Sequence, residues 1–457
     1  MKALRPFTTA LIFGDLLSVF VLINFVAILR GITSWQTPLL WPLLVPFLLL
    51  LAALHLIDGY NSRTDFLSAD YLSQHILACF AATIALLLIT FVFVPAGYPL
   101  QQSRAVVGLS FLIIAPATLL TRRLLHLKLQ RRRAKRLVIY AGADADVFSV
   151  EATRLQLDRE IRYARLGPDD GPDDGRPLLG DLIEDITSGR LGVEAVVLRE
   201  TGRSLPPDVS RRLEELYFEG VPTYTLELFH QLYWRKIPLY RLNLTWLFQE
   251  GFKMARVPVF NHLKRLSDIA LSLFVLVLGA PFIAAAAIAI KWEDGGSVFF
   301  KQLRIGRNRV PFTLYKLRTM RPAPEGASSP GGGGNYTVKN DSRITRLGRF
   351  LRASRLDELP QLWNVLKGDM SMIGPRAEWD VLVADYERRI ACYHFRHLVR
   401  PGITGWAQIN YPYGAGIDDT LRKLEYDLYY IRHFSFLLDA AIVLKTVHVM
   451  LAGKGGR

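Results

Sequence analysis

The chain has 457 residues, 51% of them hydrophobic, and its mean hydropathy is +0.20. These values exceed those of most soluble proteins and exclude a wholly water-soluble class, so part of the chain is expected to lie in lipid. The formal net charge is +15, and the basic segments are also the apolar ones, which favours a membrane surface over nucleic acid as the partner.

Four apolar runs come first, at about residues 8–29, 38–57, 74–96 and 105–121, and each is about long enough to cross a bilayer as a helix. Lys2 and Arg5 precede the first run. A basic cluster follows the fourth: Arg122, Arg123, Lys128, Arg131, Arg132, Arg133, Lys135 and Arg136. Because positively charged flanks stay in the cytoplasm, residues 1–136 are predicted to form four antiparallel transmembrane helices with both ends cytoplasmic.

Asp15 lies inside the first of these runs. A proton or ion site is one interpretation of a carboxylate at this depth. The other, which we prefer, is a carboxylate paired with a neighbouring helix.

Residues 137–250 carry a net charge of −7 and alternate strand-like with helix-like patterns, which predicts a parallel α/β domain. The segment Leu-Val-Ile-Tyr-Ala-Gly-Ala (137–143) resembles a first strand and its turn, and residues 195–198 resemble a second buried strand. A dinucleotide-binding fold has three glycines in its first turn, and only Gly142 is present. We therefore predict a degenerate Rossmann-like domain, with a nucleotide site as the less favoured alternative.

Residues 251–457 carry a net charge of +13 and contain a fifth apolar run at about 269–290. Gly-Ala-Pro (279–281) lies in its middle, where Pro281 should bend a helix. Basic residues flank the run on both sides: Lys264 and Arg265 before it, and Lys291, Lys301, Arg304 and Arg307 after it. A spanning helix would place one set outside the cell, so we predict a re-entrant helix over 267–291 that breaks at Pro281 and returns to the cytoplasm.

Two adjacent carboxylates, Asp357 and Glu358, precede a short amphipathic pattern. Pro360 is tolerated only in the first turn of a helix, so the helix is predicted to begin near Asp357 and to stop at Gly368. An ionised aspartate is a competent nucleophile toward phosphorus. Adjacent helical residues point about 100° apart, so one carboxylate can face a phosphate while the other holds a metal or a water.

Groups suited to phosphate surround this pair in the sequence. A strand-like pattern over 312–320 places Lys316 and Arg318 on one face. Arg376 follows a rigid Gly-Pro turn and presents a fork suited to two phosphate oxygens. Arg400 begins a loop whose glycines permit close approach to a ligand. Asp427 is a third carboxylate that could complete a magnesium site, although a lone aspartate is more often a surface residue.

These segments resemble, in their order, the monotopic phosphoglycosyl transferases, the bacterial sugar transferases that start exopolysaccharide, capsule and O-antigen assembly. The resemblance covers about residues 258–457. It rests on the motifs Tyr-Lys-Leu-Arg-Thr-Met (315–320), Leu-Asp-Glu-Leu-Pro-Gln-Leu-Trp-Asn (356–364), Ile-Gly-Pro-Arg (373–376) and Arg-Pro-Gly-Ile-Thr-Gly-Trp (400–406). Larger members of that family are similar upstream as well, with four crossings and a Rossmann-like domain.

The resemblance implies a membrane α/β enzyme with a mostly helical catalytic domain. It implies Mg2+-dependent transfer of a sugar 1-phosphate from a UDP-sugar to undecaprenyl phosphate, a polyprenyl phosphate, with release of UMP. The expected place is the bacterial inner membrane, with the catalytic domain facing the cytoplasm. A homodimer is a further expectation, since the middle domain and the four-helix region offer surfaces for one.

Carried over residue by residue, Asp357 would be the nucleophile that forms a phosphosugar-enzyme intermediate. Glu358 would act as a magnesium ligand or base, with Asp427 also near the metal. Lys316 and Arg376 match residues that hold the donor's phosphates, and Arg400 lies in a motif near the nucleotide.

Two other functions are compatible with parts of the sequence. A membrane oxidoreductase would need an intact glycine fingerprint, which is absent. A non-catalytic scaffold or regulator of polysaccharide assembly would explain the helices and the α/β domain, but not the acidic pair among cationic residues. The sequence does not identify the sugar.

Overall fold

The protein is described here by a computed structural model. It describes residues 4–61, 64, 66, 67, 69–93, 97, 99–132, 137–142, 145–155, 160–166, 175–199, 207–239, 258–321, 341, 343–411, 414 and 416–451. The chain forms two compact units, residues 1–235 and 236–457. The predicted domain boundaries after residues 136 and 250 stay predictions.

The first unit begins with four apolar helices, at the four predicted runs. They are α1 (Leu4–Leu29), α2 (Leu44–Leu56), α3 (Ala69–Leu88) and α4 (Arg104–Arg132). α1 packs on α4, α2 on α3, and α3 on α4. Three segments of this region are long and apolar enough to cross a membrane, and the helical segment Trp41–Leu56 is shorter. Large apolar side chains remain exposed on these helices, as expected for surfaces that face lipid.

The four-helix region contains a buried ion pair. Arg122 Nη1 and Nη2 donate to the two carboxylate oxygens of Asp15 at 2.7 and 2.8 Å, and the hydroxyl of Tyr60 donates to Asp15 at 2.6 Å. Asp15 and Arg122 are fully buried. The prediction that Asp15 pairs with a neighbouring helix is therefore confirmed. Arg122, which we had placed in a cytoplasmic cluster beyond the fourth helix, lies inside α4, because this helix continues to Arg132.

A four-stranded parallel sheet follows in the same unit. Its strands are β1 (Leu137–Ala141), β2 (Glu160–Ala164), β3 (Val193–Leu198) and β4 (Thr223–Thr225), in the order β2-β1-β3-β4. The helices α5 (Ala145–Arg154), α6 (Leu179–Thr187) and α7 (Pro207–Glu219) connect the strands, and α8 (Leu226–Phe229) follows β4. β1 lies inside the sheet with all five residues buried, so the predicted parallel α/β arrangement is confirmed.

Gly142 follows β1, where a nucleotide-binding fold would have its first glycine. Its φ of +157° is rare for residues with side chains, and an added Cβ would lie 2.6 Å from Cβ of Arg199. The close approach of Arg199, the residue after β3, therefore explains why position 142 is a glycine.

The second unit begins with α9 (Pro258–Asp294), a helix of 37 residues. The predicted break at Pro281 is wrong, since the helix continues through this proline. Proline removes one backbone hydrogen bond and bends a helix, whereas an apolar environment favours keeping the remaining bonds. Residues 261–294 are long and apolar enough to cross a membrane.

The remaining elements of this unit surround a large apolar core. β5 (Phe299–Ile305) and β6 (Pro311–Leu317) form an antiparallel hairpin, and β7 (Ser371–Ile373) pairs in parallel with β8 (Gly402–Thr404). The helices are α10 (Arg346–Ala353), α11 (Gln361–Lys367), α12 (Asp380–Arg389), α13 (Trp406–Asn410), α14 (Ile417–Arg432) and α15 (Phe436–Leu451). The core includes Tyr393, Leu428, Tyr430, Ile431 and Ile442, all fully buried.

Candidate active site

The two carboxylates lie in a single turn of 3-10 helix, Leu356–Glu358, immediately before α11. The chain enters this turn through Arg355, whose φ is +56°, and Pro360 caps the start of α11. The α-helix therefore begins at Gln361, four residues later than Asp357. Its predicted end is confirmed, because Gly368 is the C-cap. The tight turn aims both carboxylates into the domain, since Asp357 is buried and Glu358 nearly so.

Glu358 is held by three cationic side chains. Its carboxylate lies 2.8 Å from Lys316 Nζ, 3.6 Å from Arg376 Nη2 and 3.5 Å from Arg355 Nη1. Burial alone would raise the pKa of Glu358, but the charges of Lys316 and Arg376 lower it to about 2. Glu358 is therefore ionised at physiological pH. Burial lowers the pKa of Lys316, an effect that the Glu358 charge opposes.

Asp357 differs from its neighbour in its surroundings. Only 8% of it is exposed, and the described part of the chain supplies neither a hydrogen bond nor an ion pair to its carboxylate. Burial first, and the charge of Glu358 next, raise the pKa of Asp357, while Lys316 and two arginines oppose this shift. The pair thus contains one carboxylate bound by cations and one that is buried without a hydrogen bond or ion pair from the described residues, which is the more reactive state.

Asn364 fixes the distance between Lys316 and the acidic turn. It is fully buried on α11, its Oδ1 accepts from the backbone nitrogen of Tyr315 at 3.1 Å, and its Nδ2 donates to the carbonyl of Thr313 at 2.7 Å. These bonds join α11 to β6, the strand that carries Lys316. Sequence reasoning missed this residue, although an asparagine inside an apolar helical face was a usable signal.

Arg376 follows β7 and Arg400 precedes β8, two strands that pair in parallel. The two strands approach so tightly that a Cβ on Gly402 would lie 2.1 Å from the nitrogen of Gly374. Arg376 forms a bridge to Gly402 and reaches Glu358. Arg400 instead donates from Nε to the carbonyl of Gly368 at 3.0 Å.

A side chain at Gly402 is therefore expected to separate β7 from β8. We predict that Gly402→Ala lowers the free energy of unfolding by about 1–3 kcal/mol, because the backbone has no room for a methyl group. The measurement is thermal unfolding of the purified protein. Gly180→Ala is the control, since a Cβ there meets nothing within 4 Å. Equal unfolding temperatures for the two variants would contradict the prediction.

The structure does not bring Arg318, Arg400 or Asp427 to the carboxylate pair. Arg318 lies just after β6 and pairs with Asp294 at the end of α9. Arg400 lines a separate cavity beside Lys264, Arg307 and Ser371.

Asp427 is buried on α14, and its carboxylate lies 3.0 Å from Arg396 Nη2. Burial raises the pKa of Asp427 to about 6, so the group is ionised at neutral pH. Within the described residues, no three His, Cys, Asp or Glu side chains are grouped to hold a metal ion. Asp427 is therefore not a third ligand beside Asp357 and Glu358 in this arrangement.

The start of α9 also supports the site. Lys264 is buried and lies 2.5 Å from Asp439 on α15. Asp268 accepts from the hydroxyl of Ser371 and the nitrogen of Met372, both at 3.0 Å. Arg265 donates to carbonyls at the end of α11: those of Val365 and Leu366. The two basic residues are predicted to be membrane flanks, whereas their contacts fix α9 against α15 and α11, and Asp268 fixes it against β7.

A family model described as "Bacterial sugar transferase" matches residues 259–453, the part of the chain that contains this cluster. The exopolysaccharide production protein PSS of Rhizobium leguminosarum bv. phaseoli is 43% identical over 200 residues, which are 42% of this chain and 98% of that protein.

Two relatives with more specific names match as well. The UDP-N-acetylgalactosamine-undecaprenyl-phosphate N-acetylgalactosaminephosphotransferase of Aeromonas hydrophila is 37% identical over 276 residues, 60% of this chain and 63% of the relative. The UDP-glucose:undecaprenyl-phosphate glucose-1-phosphate transferase of Escherichia coli K12 is 41% identical over 189 residues, 40% of this chain and 39% of the relative. The chain thus spans less than two thirds of either relative.

Proposed function

Because the chain belongs to the bacterial sugar transferase family, we propose that it transfers a sugar 1-phosphate from a UDP-sugar to undecaprenyl phosphate and releases UMP. The names of the Aeromonas and Escherichia relatives support both substrates. The observation that carries the proposal is the buried Asp357 carboxylate beside Glu358, Lys316 and Arg376, to which the described residues supply no hydrogen bond or ion pair. The reaction would start exopolysaccharide, capsule or O-antigen assembly.

In the proposed mechanism, an Asp357 carboxylate oxygen attacks the phosphorus that carries the sugar. The new oxygen–phosphorus bond replaces the bond to the bridging oxygen, which leaves with UMP. A phosphate oxygen of undecaprenyl phosphate then attacks the same phosphorus and releases the Asp357 carboxylate. Lys316 and Arg376 offset the diphosphate charge in both steps.

Mg2+ fits this site through the Glu358 carboxylate. Proteins hold Mg2+ with one or two carboxylates plus substrate phosphates, and Glu358 supplies one such carboxylate. Glu358 is the proposed ligand, with Lys316 moving from Glu358 toward the donor. Bound Mg2+ would neutralise charge on the diphosphate. Asp427 is left out of this proposal because its carboxylate is paired with Arg396.

The two carboxylates should give a particular pH dependence. Since attack requires ionised Asp357, whose pKa is raised by burial, we expect kcat/KM to fall as the pH drops through that raised pKa. The acid limb should therefore lie above about pH 3.9, the ordinary value for aspartate, while Glu358 stays ionised. The measurement is the rate of UMP release against pH. A limb at or below the ordinary value would contradict the assignment of Asp357.

The proposed membrane arrangement is a re-entrant α9 that bends at Pro281 without a break in the helix. Lys264 near its start pairs with Asp439, and Asp294 at its end pairs with Arg318, so both ends contact the same compact unit. A helix held in this way cannot place its ends on opposite sides of a bilayer unless the unit crosses too. This supports a catalytic unit on the cytoplasmic face of the bacterial inner membrane, where UDP-sugars are found.

The two remaining proposals concern the first unit and the assembly. The strand order β2-β1-β3-β4 with connecting helices supports a Rossmann-like domain. We also propose a homodimer, which sedimentation of the protein in lipid nanodiscs would test.

The experiment that tests the function is UMP release by purified full-length protein with Mg2+ and undecaprenyl phosphate. The donors are UDP-glucose, UDP-galactose and their two N-acetylated counterparts. Release with one donor, dependent on the acceptor for continued turnover and abolished by EDTA, is the expected result. A folded protein that releases no UMP from any donor would instead support the scaffold function.

A further inference from the structure

A buried arginine lies beneath the turn that carries Arg376. Only 7% of Arg396 is exposed, and its Nη2 donates to the backbone carbonyl of Arg376 at 2.9 Å. Its Nη1 donates to the hydroxyl of Tyr393 at 2.6 Å. The Arg396 side chain thus reaches the backbone of a proposed phosphate-binding residue from inside the domain.

Asp427 holds Arg396 in this position. Its carboxylate lies 3.0 Å from the same Nη2 that binds the Arg376 carbonyl, and it is 2% exposed. A guanidinium is a rigid planar fork, so a partner on one nitrogen fixes the direction of the others. The position of the Arg376 carbonyl therefore depends on Asp427 through Arg396.

The other end of the turn is held in a similar way. Tyr430, fully buried on α14, shares its single hydroxyl proton between the carboxylate of Asp439 at 2.8 Å and the carbonyl of Ile373 at 3.2 Å. Alongside, Gly402 donates to the carbonyl of Pro375 at 2.8 Å. The backbone from Ile373 to Arg376 is thus anchored at both ends by buried donors that are themselves bound to carboxylates.

We propose that Arg396 and Asp427 are positioning residues, which hold the Arg376 guanidinium at the donor's diphosphate. This proposal rests on the proposed function. Neither residue touches the reacting atoms, so both act through Arg376. A buried ion pair is weak evidence for stability by itself, because an apolar pair of similar volume is often as stable. A displacement of about 1 Å at a binding group, by contrast, can reduce a rate about 10²-fold.

The test compares two double variants. Each removes one buried ion pair that joins a carboxylate of α14 to a basic residue elsewhere in the unit. Arg396→Met/Asp427→Leu removes the proposed positioning pair. Lys236→Met/Glu425→Leu is the control, since Lys236 and Glu425 are fully buried and lie 3.0 Å apart, and Glu425 also accepts from Leu239 and Arg422. The readouts are the KM for the UDP-sugar, the KM for undecaprenyl phosphate, and thermal unfolding.

We expect the positioning variant to raise the donor KM about tenfold or more, with the acceptor KM changed by less than about twofold. The control should leave both KM values within about twofold of wild type, whatever its unfolding temperature. An unchanged donor KM in the positioning variant, or an equal rise in the control, would overturn the proposal. If the positioning variant does not fold, Arg396→Lys replaces it, because lysine keeps the charge beside Asp427 but lacks the fork.

A second measurement is independent of the activity. The amide of Gly374 lies in the turn, and the amide of Gly402 donates a hydrogen bond to the turn. The hydrogen-exchange rates of these two amides therefore report on the order of the turn. Exchange should accelerate about tenfold or more in the positioning variant and not in the control. Unchanged exchange would overturn the positioning role. If wild type releases no UMP, the proposed function fails, and the exchange rates still decide whether Arg396 and Asp427 order the turn.

Discussion

Asp357→Asn is expected to reduce UMP release by about 10⁴-fold or more, because the amide oxygen of asparagine cannot serve as the nucleophile. The substitution keeps the shape of the side chain. It also removes a negative charge that burial and Glu358 disfavour, as the raised pKa of Asp357 shows. Loss of that charge should leave the unfolding temperature at pH 7 unchanged or higher. Low activity would then come from lost chemistry rather than from lost structure.

The matched control is Asp385→Asn, the same exchange at a partly exposed residue of α12 that pairs with Arg388 and Arg389. Its rate of UMP release should equal that of wild type. A further check is labelling with a donor whose sugar-linked phosphate is radioactive: label should stay on wild type without acceptor and be absent from Asp357→Asn. Substantial UMP release by Asp357→Asn would mean that another residue is the nucleophile.

The elements of the fold could largely be predicted from periodicity and composition. Runs of apolar residues gave the four N-terminal helices, and Asp15 was predicted to pair because an isolated carboxylate in lipid is too costly. The ends of these helices were harder to predict. α4 continues to Arg132, and Arg122 lies buried inside it. A charged residue is tolerated inside an apolar helix when it forms an ion pair, as Arg122 does with Asp15.

The continuity of α9 through Pro281 could not be predicted from the sequence either. Pro281 predicted a bend, and its effect on the backbone is local: one hydrogen bond is lost while the neighbouring turns remain. The sequence alone could not show that Lys264 and Asp294, at the two ends of this helix, contact the same unit. Those contacts depend on residues more than 20 positions away in the chain.

For the candidate site too, some residues could be predicted from the sequence and others could not. Asp357, Glu358, Lys316 and Arg376 were all predicted, and the structure brings them together. The alternation rule placed Arg318 with Lys316, but β6 ends at Leu317, so the rule does not extend to Arg318. Asp427 was predicted as a metal ligand from its residue type. Its partner, Arg396, could not be predicted, because ion pairing depends on distances that only the folded chain sets.

Lys316→Met is the second substitution with a large expected effect. We expect it to reduce kcat/KM for the donor by about 10²–10³-fold, the usual cost of removing one group that stabilises developing charge. It should also lower the free energy of unfolding by about 1–3 kcal/mol, because the largely buried carboxylate of Glu358 loses its partner at 2.8 Å. The control is Lys367→Met, which removes a half-exposed lysine at the end of α11 and should change neither quantity.

The double variant Lys316→Met/Glu358→Gln separates the two effects of Lys316. With both charges removed, no Glu358 carboxylate is left without its nearest cation, so the unfolding temperature should return toward that of wild type. The return should be incomplete, because Arg355 and Arg376 also pair with Glu358 and lose that partner. Activity should not return, because the lysine would still be missing when the donor's diphosphate arrives. Recovery of both stability and UMP release would contradict a role in substrate binding and leave Lys316 as a structural partner of Glu358. Recovery of stability alone, with activity lower in the double variant than in Glu358→Gln, would show that Lys316 acts on the donor in addition to pairing with Glu358.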